Sequence, residues 1–323
     1  MKLDFKVTPD AAGQRLDKFL RKRMENMPLS HLYKMVRTKK VRVNGARAEI
    51  AQLLASGDEI TVHVLSQAAA PLPPKPASAV GQDFKVIYED EHLLACDKPT
   101  GLAIHPGSGI TGETLVDQAR AYFERQGLQH VDGEFKPSPA HRLDRETSGV
   151  VIVAKTRQAM VRLTEMFTAG EPDKTYLALA KGRFQKDKGS IDLRLPEHQQ
   201  TKNSKVQRGV NMQEARTNWR RLAGGPEATL LELQIETGRT HQIRRHLEAI
   251  GHPIVGDGKY GDFPFNRIAA RQWGLKRMFL HSTRLSIAHP LTKKRLVFNS
   301  ALPEELLQSL PRAGIQWTTP PRE

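Results

Sequence analysis

The sequence predicts an α+β protein in which a mixed, largely antiparallel central sheet is preceded by a small α/β domain. Apolar strands follow one another with few helices between them, which favours an α+β sheet over a doubly wound parallel one. A stretch rich in Ala and Pro, residues 67–82, divides the chain and is typical of a semi-extended linker. At 323 residues, of which 38% are hydrophobic, the chain is long enough for two domains.

The short segment before this linker, residues 13–66, is predicted to form two helices followed by small strands. Apolar residues recur at helical spacing in two runs, which are Leu16, Phe19 and Leu20, and then Leu32, Met35 and Val36. Residues 41–45 indicate a strand that enters an Asn-Gly turn, and a last strand is expected at residues 60–64.

The long segment, residues 83–310, is predicted to open with a β-hairpin at residues 86–88 and 93–96. Further strands are expected at residues 150–153, 175–180, 229–235, 279–287 and 295–298, and helices at residues 114–126, 159–167 and 241–250. The polar stretch 186–211 has weak periodicity and is typical of a mobile surface loop.

The chain is strongly basic, with a formal net charge of +15 and a pI near 10.0. Basic residues cluster at 21–23, 34–42, 202–208 and 239–245, which indicates a docking surface for a polyanion. Charge that only keeps the protein in solution is the alternative. Because no long basic helix carries bulky apolar residues, nucleic acid is favoured over a membrane surface.

Other kinds of site are disfavoured. Residues 107–112 satisfy G-x-G-x-x-G, but Pro106 interrupts the strand that should lead into the first glycine, so a flexible loop is preferred to a dinucleotide site. Cys96 is the single cysteine, which excludes an intrachain disulfide and a thiolate metal cluster. His241 and His246 lack the carboxylate neighbours of a zinc site, and we expect neither a metal nor a cofactor.

Targeting signals also bear on the class of protein. No run of the sequence approaches the roughly 18 apolar residues of a membrane span, and the first ten residues lack the apolar core of a secretion signal. We therefore expect a cytoplasmic protein with no membrane partner.

The most informative stretch is residues 141–150, where one carboxylate, Asp144, lies among basic residues immediately before an apolar strand. Arginine on either side favours the ionised form of the carboxylate, whereas burial alone would neutralise it. The alternative is a surface loop in which Asp144 caps a turn and the arginines face water.

The short segment resembles the S4 RNA-binding domain, through residues 13–20 and 41–45. A generic small α/β cap on the larger domain is the alternative. The resemblance implies that Lys34, Arg37 and Arg42 contact RNA phosphates. Such contacts position the protein and make its affinity salt-dependent, but they read little sequence.

The long segment resembles the RluA-type family of RNA pseudouridine synthases, through residues 141–150, 174–176 and 237–244. The similarity extends across residues 88–90, 97–101, 251–257, 260–262 and 280–282. Small departures from the family's usual residues occur at Asp97, Thr100, Arg245 and Ser282, and none of them removes a catalytic group. The resemblance implies a pseudouridine synthase fold for residues 83–310.

The resemblance also implies the chemistry, which is isomerisation of uridine to pseudouridine without metal, nucleotide or flavin. Asp144 corresponds to the essential carboxylate, and its role as nucleophile or as base that abstracts a ribose proton stays open. Arg244 occupies the position of its salt-bridge partner. Tyr176 corresponds to the tyrosine that packs on the target base, although a half-buried strand aromatic is an alternative interpretation.

RNA contacts in the long segment are implied in the same way. The target base must leave its stack to reach a buried carboxylate, and Arg142 corresponds to the residue that fills the vacated space. We also expect Arg145 and Arg239 to contact RNA.

Within the family, the sequence looks most like the RluC branch, which acts on large-subunit ribosomal RNA. We therefore expect a monomeric enzyme that modifies 23S rRNA, either free or in assembly intermediates. One alternative is a synthase of the same family that acts on transfer RNA, and another is a non-catalytic S4-type assembly factor. Retention of Asp144, Tyr176 and Arg244 argues against the second alternative.

Overall fold

The computed structural model describes residues 2–24, 27, 29–63, 80–107, 110, 112–127, 135–197 and 211–318. The chain divides into two compact units, one comprising residues 1–80 and 123–136 and the other residues 81–122 and 137–323. Most of the predicted linker, and residues 108, 109 and 111 of the predicted glycine-rich loop, lie outside the described residues.

The described residues of the small unit that precede the predicted linker form two α-helices, a short 3-10 helix (Pro9–Ala11) and a four-stranded antiparallel sheet. The helices are α1 (Leu16–Arg23) and α2 (Leu29–Arg37), and the strands are β1 (Lys2–Lys6), β2 (Val41–Val43), β3 (Ala46–Arg47) and β4 (Glu59–His63). The strand order is β1-β4-β2-β3, and apolar residues from helices and strands share one buried core. Strand β1 extends this sheet to residues that precede the expected boundary at residue 13.

The turn between β2 and β3 forms where the sequence predicted it. Asn44 and Gly45 have φ values of 52° and 75°. Positive φ at both central residues is what a tight type I′ hairpin turn requires, and Asn-Gly is the pair that accepts it most readily.

The large unit is built on a ten-stranded sheet. The remaining strands of the chain are β5 (Lys85–Glu89), β6 (Leu93–Lys98), β7 (Ser138–Pro139), β8 (Ser148–Ala154), β9 (Asp173–Lys181), β10 (Lys188–Asp192), β11 (Leu195–Pro196), β12 (Met212–Gln213), β13 (Arg216–Gly224), β14 (Ala228–Ile235), β15 (Leu280–Ala288) and β16 (Arg295–Asn299). The remaining helices are α3 (Leu115–Arg125), α4 (Arg157–Ala169), α5 (Gln242–Ala249), α6 (Phe263–Gln272), α7 (Glu304–Leu307) and α8 (Ser309–Arg312).

The sheet runs in the order β10-β13-β14-β9-β15-β8-β6-β5, with β16 paired to β15 and β7 paired to β8. Among the described strand pairs, β8 and β15 are parallel and the others are antiparallel. The mixed, largely antiparallel sheet predicted from the sequence is therefore confirmed. Strands β8 and β9 are almost wholly buried, as expected for continuous apolar runs in the middle of a sheet.

The last two strands at one end of the central sheet, β10 and β13, were not predicted. The expectation of a mobile loop at residues 186–211 is wrong for its first part, because residues 188–192 form β10, which pairs with the equally unpredicted β13. Within β10 the side chain of Ile191 alone is buried, so the strand lacks the alternating apolar signal of a half-buried strand. Residues 198–210 lie outside the described residues.

Within the described ranges, none of the helices combines the length and apolarity that a bilayer crossing requires.

Candidate active site

A cleft of about 550 Å³ in the large unit contains the residues that the sequence singled out. Its walls come from the segment before β8, the end of α4, strand β9, and the segment between β14 and α5. Asp144, Tyr176 and Arg244 all line this cleft. The sheet order explains why these three residues lie together, because β14, β9, β15 and β8 are consecutive neighbours.

Asp144 lies in the turn that leads into β8. The backbone amide of Thr147 donates to the Asp144 carbonyl at 3.1 Å, which closes this turn, and β8 begins one residue later. The Asp144 side chain is 20% exposed. Its carboxylate is therefore reachable from the cleft while its backbone is fixed by the central sheet.

Gly149, at the start of β8, allows the close approach that places this turn. Its φ is 116°, and a Cβ added there would lie 2.1 Å from the carbonyl oxygen of Ser282 on β15. Only glycine fits such a position, because the added atom would collide with backbone. The glycine of the predicted catalytic motif is thus required by the parallel pairing of β8 with β15.

Arg244 on α5 joins Asp144 to a second acid. Its Nη1 donates to Asp144 Oδ2 at 2.9 Å, and its Nε and Nη2 donate to Asp257 Oδ2 and Oδ1 at 2.7 and 2.9 Å. Burial opposes the charge on Arg244, but hydrogen bonds to the two carboxylates outweigh it and raise the arginine pKa. The guanidinium is therefore a permanent cation beside Asp144.

Asp257 is the buried anchor of this pair, since its side chain is fully buried. Burial alone would raise its pKa, but the hydrogen bonds and charge of Arg244, together with the backbone amides of Tyr260 and Lys259, outweigh burial and lower the pKa below its ordinary value of 3.8. A carboxyl with a lowered folded-state pKa contributes stability above its unfolded-state pKa, and that stability is lost as the pH falls through the folded-state value.

We therefore expect the free energy of unfolding to depend less on pH in an Asp257→Asn variant than in the native protein. The difference should appear in acid, below the ordinary aspartate pKa of 3.8. Urea unfolding followed by circular dichroism at a series of pH values measures it. If the free energy of unfolding falls equally in the two proteins as the pH is lowered, Asp257 is not stabilised in its ionised form.

Lys98, at the end of β6, also supports the turn that carries Asp144. The residue is fully buried, and its Nζ donates to the carbonyl oxygens of Pro99, Leu102 and Arg145 at 2.8, 2.9 and 3.1 Å. Burial lowers the lysine pKa to about 7. Through these three hydrogen bonds the Lys98 amine links the segment after β6 to Arg145, the residue that follows Asp144.

Tyr176 lies on β9 and is 7% exposed. Burial and the nearby charge of Asp144 raise the pKa of its phenol. The hydroxyl therefore stays protonated at neutral pH, next to the candidate catalytic carboxylate.

The predicted RNA-contacting residues of the large unit fall into two groups. Arg142 and Arg239 are exposed and line the cleft, and Arg239 Nε donates to the carbonyl oxygen of Glu214 at 3.1 Å. Arg145 is exposed but does not line the cleft, and its Nε donates to the carbonyl oxygen of Gly101 at 3.0 Å. Arg145, like Lys98, therefore stabilises the turn that carries Asp144 against the segment after β6.

In the small unit, Lys34 and Arg37 are exposed on α2, and Arg42 is exposed on β2. Arg42 Nη1 donates to the carbonyl oxygen of Gly45 at 2.9 Å. These three cations belong to one compact unit and are presented to solvent.

Sequence reasoning assigned no role to Asp257 or to Lys98, although both lie in segments that carry the family resemblance. A signal was available for Asp257, because a buried arginine requires a buried anion and this acid follows Arg244 by 13 residues. Lys98 had no comparable signal, since its acceptors are backbone carbonyls.

Comparison with known proteins identifies two matching families. A family model described as RNA pseudouridylate synthase matches residues 92–249, and one described as S4 domain matches residues 14–60. The chain is 35% identical over 309 residues to the ribosomal large subunit pseudouridine synthase C of Vibrio cholerae. It is 34% identical over 309 residues to the protein of the same name from Escherichia coli, and both comparisons cover 94% of each chain.

Solved structures show a similar fold. The human protein RNA pseudouridylate synthase domain containing 4 superposes with a TM-score of 0.59 and 25% identity, over 72% of this chain and 94% of that one. The human protein RNA pseudouridylate synthase domain containing 1 gives a TM-score of 0.54 and 24% identity, over 71% and 86% of the two chains.

Proposed function

This chain belongs to the RNA pseudouridylate synthase family and carries an S4 domain, as the sequence predicted, and from that premise we propose that it converts specific uridines of 23S ribosomal RNA to pseudouridine. The observation that carries the proposal is a carboxylate, Asp144, ion-paired to Arg244 in a cleft of about 550 Å³. Clefts of roughly 300–1,000 Å³ hold small ligands, so one flipped nucleotide fits.

The reaction is an isomerisation. The bond between uracil N1 and the ribose C1′ breaks, a bond forms between C5 and the same sugar carbon, and the C5 proton is lost while N1 gains one. The reaction needs an ionised carboxylate, either to attack the ribose or to abstract a ribose proton. Arg244 holds Oδ2 of Asp144, so the carboxylate meets the nucleoside in one orientation.

In this proposal the neutral phenol of Tyr176 lies against the flipped base and relays the C5 proton. Burial and the nearby charge of Asp144 keep the hydroxyl protonated. The phenol oxygen therefore takes up the C5 proton only as it gives up its own proton. Strand β9 fixes the ring, because its neighbours β14 and β15 pair with it on both sides.

The Tyr176→Phe variant is expected to keep its affinity for RNA and to release the C5 proton about 10²-fold more slowly, the scale of one general acid–base contribution. Single-turnover tritium release from RNA labelled at uridine C5 measures this step. Tyr176→Leu serves as the comparison, because it also removes the ring. A Tyr176→Phe variant with the native rate would contradict the role of the hydroxyl.

Arg142, exposed in the cleft wall, is proposed to fill the space that the flipped base vacates. A planar guanidinium can stack between bases and donate hydrogen bonds to them. The cost of extruding a base from structured RNA is a few kcal/mol. Arg142 recovers part of this cost, so its contribution depends on the substrate being paired and stacked.

Replacing Arg142 by Ala is expected to slow single-turnover modification of structured RNA about 10-fold, and to change the rate on an unstructured oligonucleotide much less. Arg162→Ala is the matched control, because Arg162 is exposed on α4 and its loss changes the net charge equally. Equal rates for Arg142→Ala and the native protein on structured RNA would argue against base replacement.

The small unit is proposed to supply phosphate contacts through Lys34, Arg37 and Arg42. Contacts of this kind contribute affinity that falls with salt concentration. Because phosphate contacts do not distinguish sequences, the cleft of the large unit selects the uridine. We further propose that the protein acts as a monomer in the cytoplasm, on free 23S rRNA or on assembly intermediates.

Pseudouridine mapping in ribosomal and transfer RNA, from cells with and without the protein, tests the proposal. We expect defined pseudouridines of 23S rRNA to disappear with the protein. Loss of sites in transfer RNA alone would favour the related transfer RNA enzyme, and an unchanged map would favour a non-catalytic RNA binder.

A further inference from the structure

We propose that His241 is a positioning residue that fixes the second oxygen of the Asp144 carboxylate, through a tautomer that the Asp144 charge selects and a hydrogen bond from Tyr260 stabilises. The inference rests on the proposed function and adds a residue to its machinery. Arg244 donates a hydrogen bond to Oδ2 of Asp144. The imidazole of His241 lies next to the other oxygen, Oδ1.

The backbone of His241 is unusual. This residue has φ 54° and ψ 31°, in the left-handed region, at the position that precedes the first residue of α5. Among the described residues, the other non-glycine residues with positive φ are Lys39, Asn44 and Lys293, and none of these lines the cleft. A strained backbone persists where surrounding contacts hold it, and such positions cluster at functional sites.

The imidazole of His241 lies between Tyr260 and Asp144. Nδ1 is 3.1 Å from the Tyr260 hydroxyl, and the two rings meet edge to face with centroids 5.5 Å apart. Nε2 is 3.7 Å from Asp144 Oδ1. This second distance is that of an electrostatic contact rather than a hydrogen bond. We expect it to shorten when RNA binds, as contacts at catalytic groups often do.

The charges around the ring select one tautomer. A lone pair on Nε2 would face the negative Oδ1 of Asp144, whereas an N–H at Nε2 is attracted to it. Nε2 therefore carries the proton, and Nδ1 accepts a hydrogen bond from the Tyr260 hydroxyl.

The ring is also neutral at physiological pH. Burial is the main cause that lowers the His241 pKa, the cations Arg244 and Lys259 lower it further, and the anions Asp144 and Asp257 oppose them. A neutral ring can therefore orient Asp144 without adding a second full ion pair to it.

Tyr260 is itself fixed by the groups that hold Arg244. Its backbone amide donates to Asp257 Oδ1 at 3.0 Å, and the Arg244 guanidinium lies 5.0 Å from its ring centroid. Asp144, Arg244, Asp257, Tyr260 and His241 thus form a closed ring of contacts. Removing the imidazole leaves Asp144 held at one oxygen, free to rotate about the hydrogen bond from Arg244.

His241→Gly is the decisive variant, because glycine accepts a left-handed backbone and relieves the strain while deleting the imidazole. We expect its single-turnover rate to fall about 10- to 100-fold, the effect of a misplaced reacting group. RNA affinity should stay within about twofold of the native value and the melting temperature should not fall. His241→Asn should recover part of the rate, since Asn accepts this backbone and keeps an N–H donor.

Tyr260→Phe keeps the ring beside Arg244 but removes the hydroxyl that stabilises this tautomer. Its rate should fall about 2- to 10-fold, the scale of one hydrogen bond. The double variant His241→Gly/Tyr260→Phe should be no slower than His241→Gly, because the hydroxyl acts through the imidazole. Lys293→Gly, the same backbone change at φ 61° on an exposed residue outside the cleft, is the control and should have the native rate.

Three outcomes would overturn the inference. They are a native rate for His241→Gly, a loss of rate that is matched by a loss of RNA affinity, and additive effects of the His241 and Tyr260 changes. Inactivity of the native protein towards all RNA in the same assay would instead contradict the proposed function. The two failures are therefore distinguishable.

Discussion

The Asp144→Asn variant is expected to bind RNA and to form no measurable pseudouridine. The amide has nearly the shape of the carboxylate, but it can neither attack the ribose nor abstract a ribose proton. The loss should reach about 10⁴-fold or more, the scale seen when a catalytic carboxylate is changed to its amide in other enzymes. Nucleoside composition by mass spectrometry, after a single turnover with excess protein, measures the rate.

Stability provides the control for this variant. The Asp144 side chain is 20% exposed, and Arg244 keeps its two hydrogen bonds to Asp257 when Asp144 is neutral. We therefore expect a melting temperature close to that of the native protein and an unchanged Kd for RNA. Substantial pseudouridine formation by a folded Asp144→Asn variant would remove Asp144 from the chemistry.

The second large effect is expected at Arg244, where activity and stability both depend on one guanidinium. Arg244→Met leaves the fully buried carboxylate of Asp257 without its cation, and breaking a buried pair in this way costs about 3–5 kcal/mol. The variant also loses the hydrogen bond to Asp144 Oδ2. We expect a large fall in the free energy of unfolding, measured in urea, together with loss of pseudouridine formation.

The double variant Arg244→Met/Asp257→Asn separates the two effects. With Asp257 neutralised, no uncompensated buried charge is left, so the double variant should recover much of the lost stability. It should not recover activity, because Asp144 still lacks its partner. A double variant that is as unstable as Arg244→Met would contradict the assignment of Asp257 as the buried counterion, and an active one would contradict the role of Arg244.

Much of the fold could be predicted because its signals are local. The helical spacing of Leu16 and Phe19, the Asn44-Gly45 turn and the apolar run of β8 each predict one element within a few residues. Asp144 was singled out by a local pattern too, an acid among basic residues before a buried strand, but its predicted catalytic role came from the family resemblance. The three structural elements depend on neighbours in the chain, so periodicity and turn chemistry are sufficient to predict them.

Features that depend on distant residues could not be predicted. Strand β10 buries only Ile191, and its pairing with β13 is decided by a partner beyond residue 215. Hydropathy places a lysine at the surface, yet Lys98 is buried among three carbonyl oxygens from two segments.

The site shows the same limit. The left-handed backbone of His241 carries no sequence signal, because histidine does not demand it. The ion pair of Asp144 with Arg244 joins residues 100 apart in the chain. No local pattern predicts this contact, and the expectation of it came from the family resemblance.

Tritium release from 23S rRNA labelled at uridine C5 tests the central claim most directly, since loss of the C5 proton accompanies each isomerisation. The native protein should release tritium in a one-to-one ratio with the pseudouridine formed, and Asp144→Asn should release none above background. No release by the native protein, or equal release by the two proteins, would contradict the claim that an Arg244-held carboxylate isomerises uridine in this cleft.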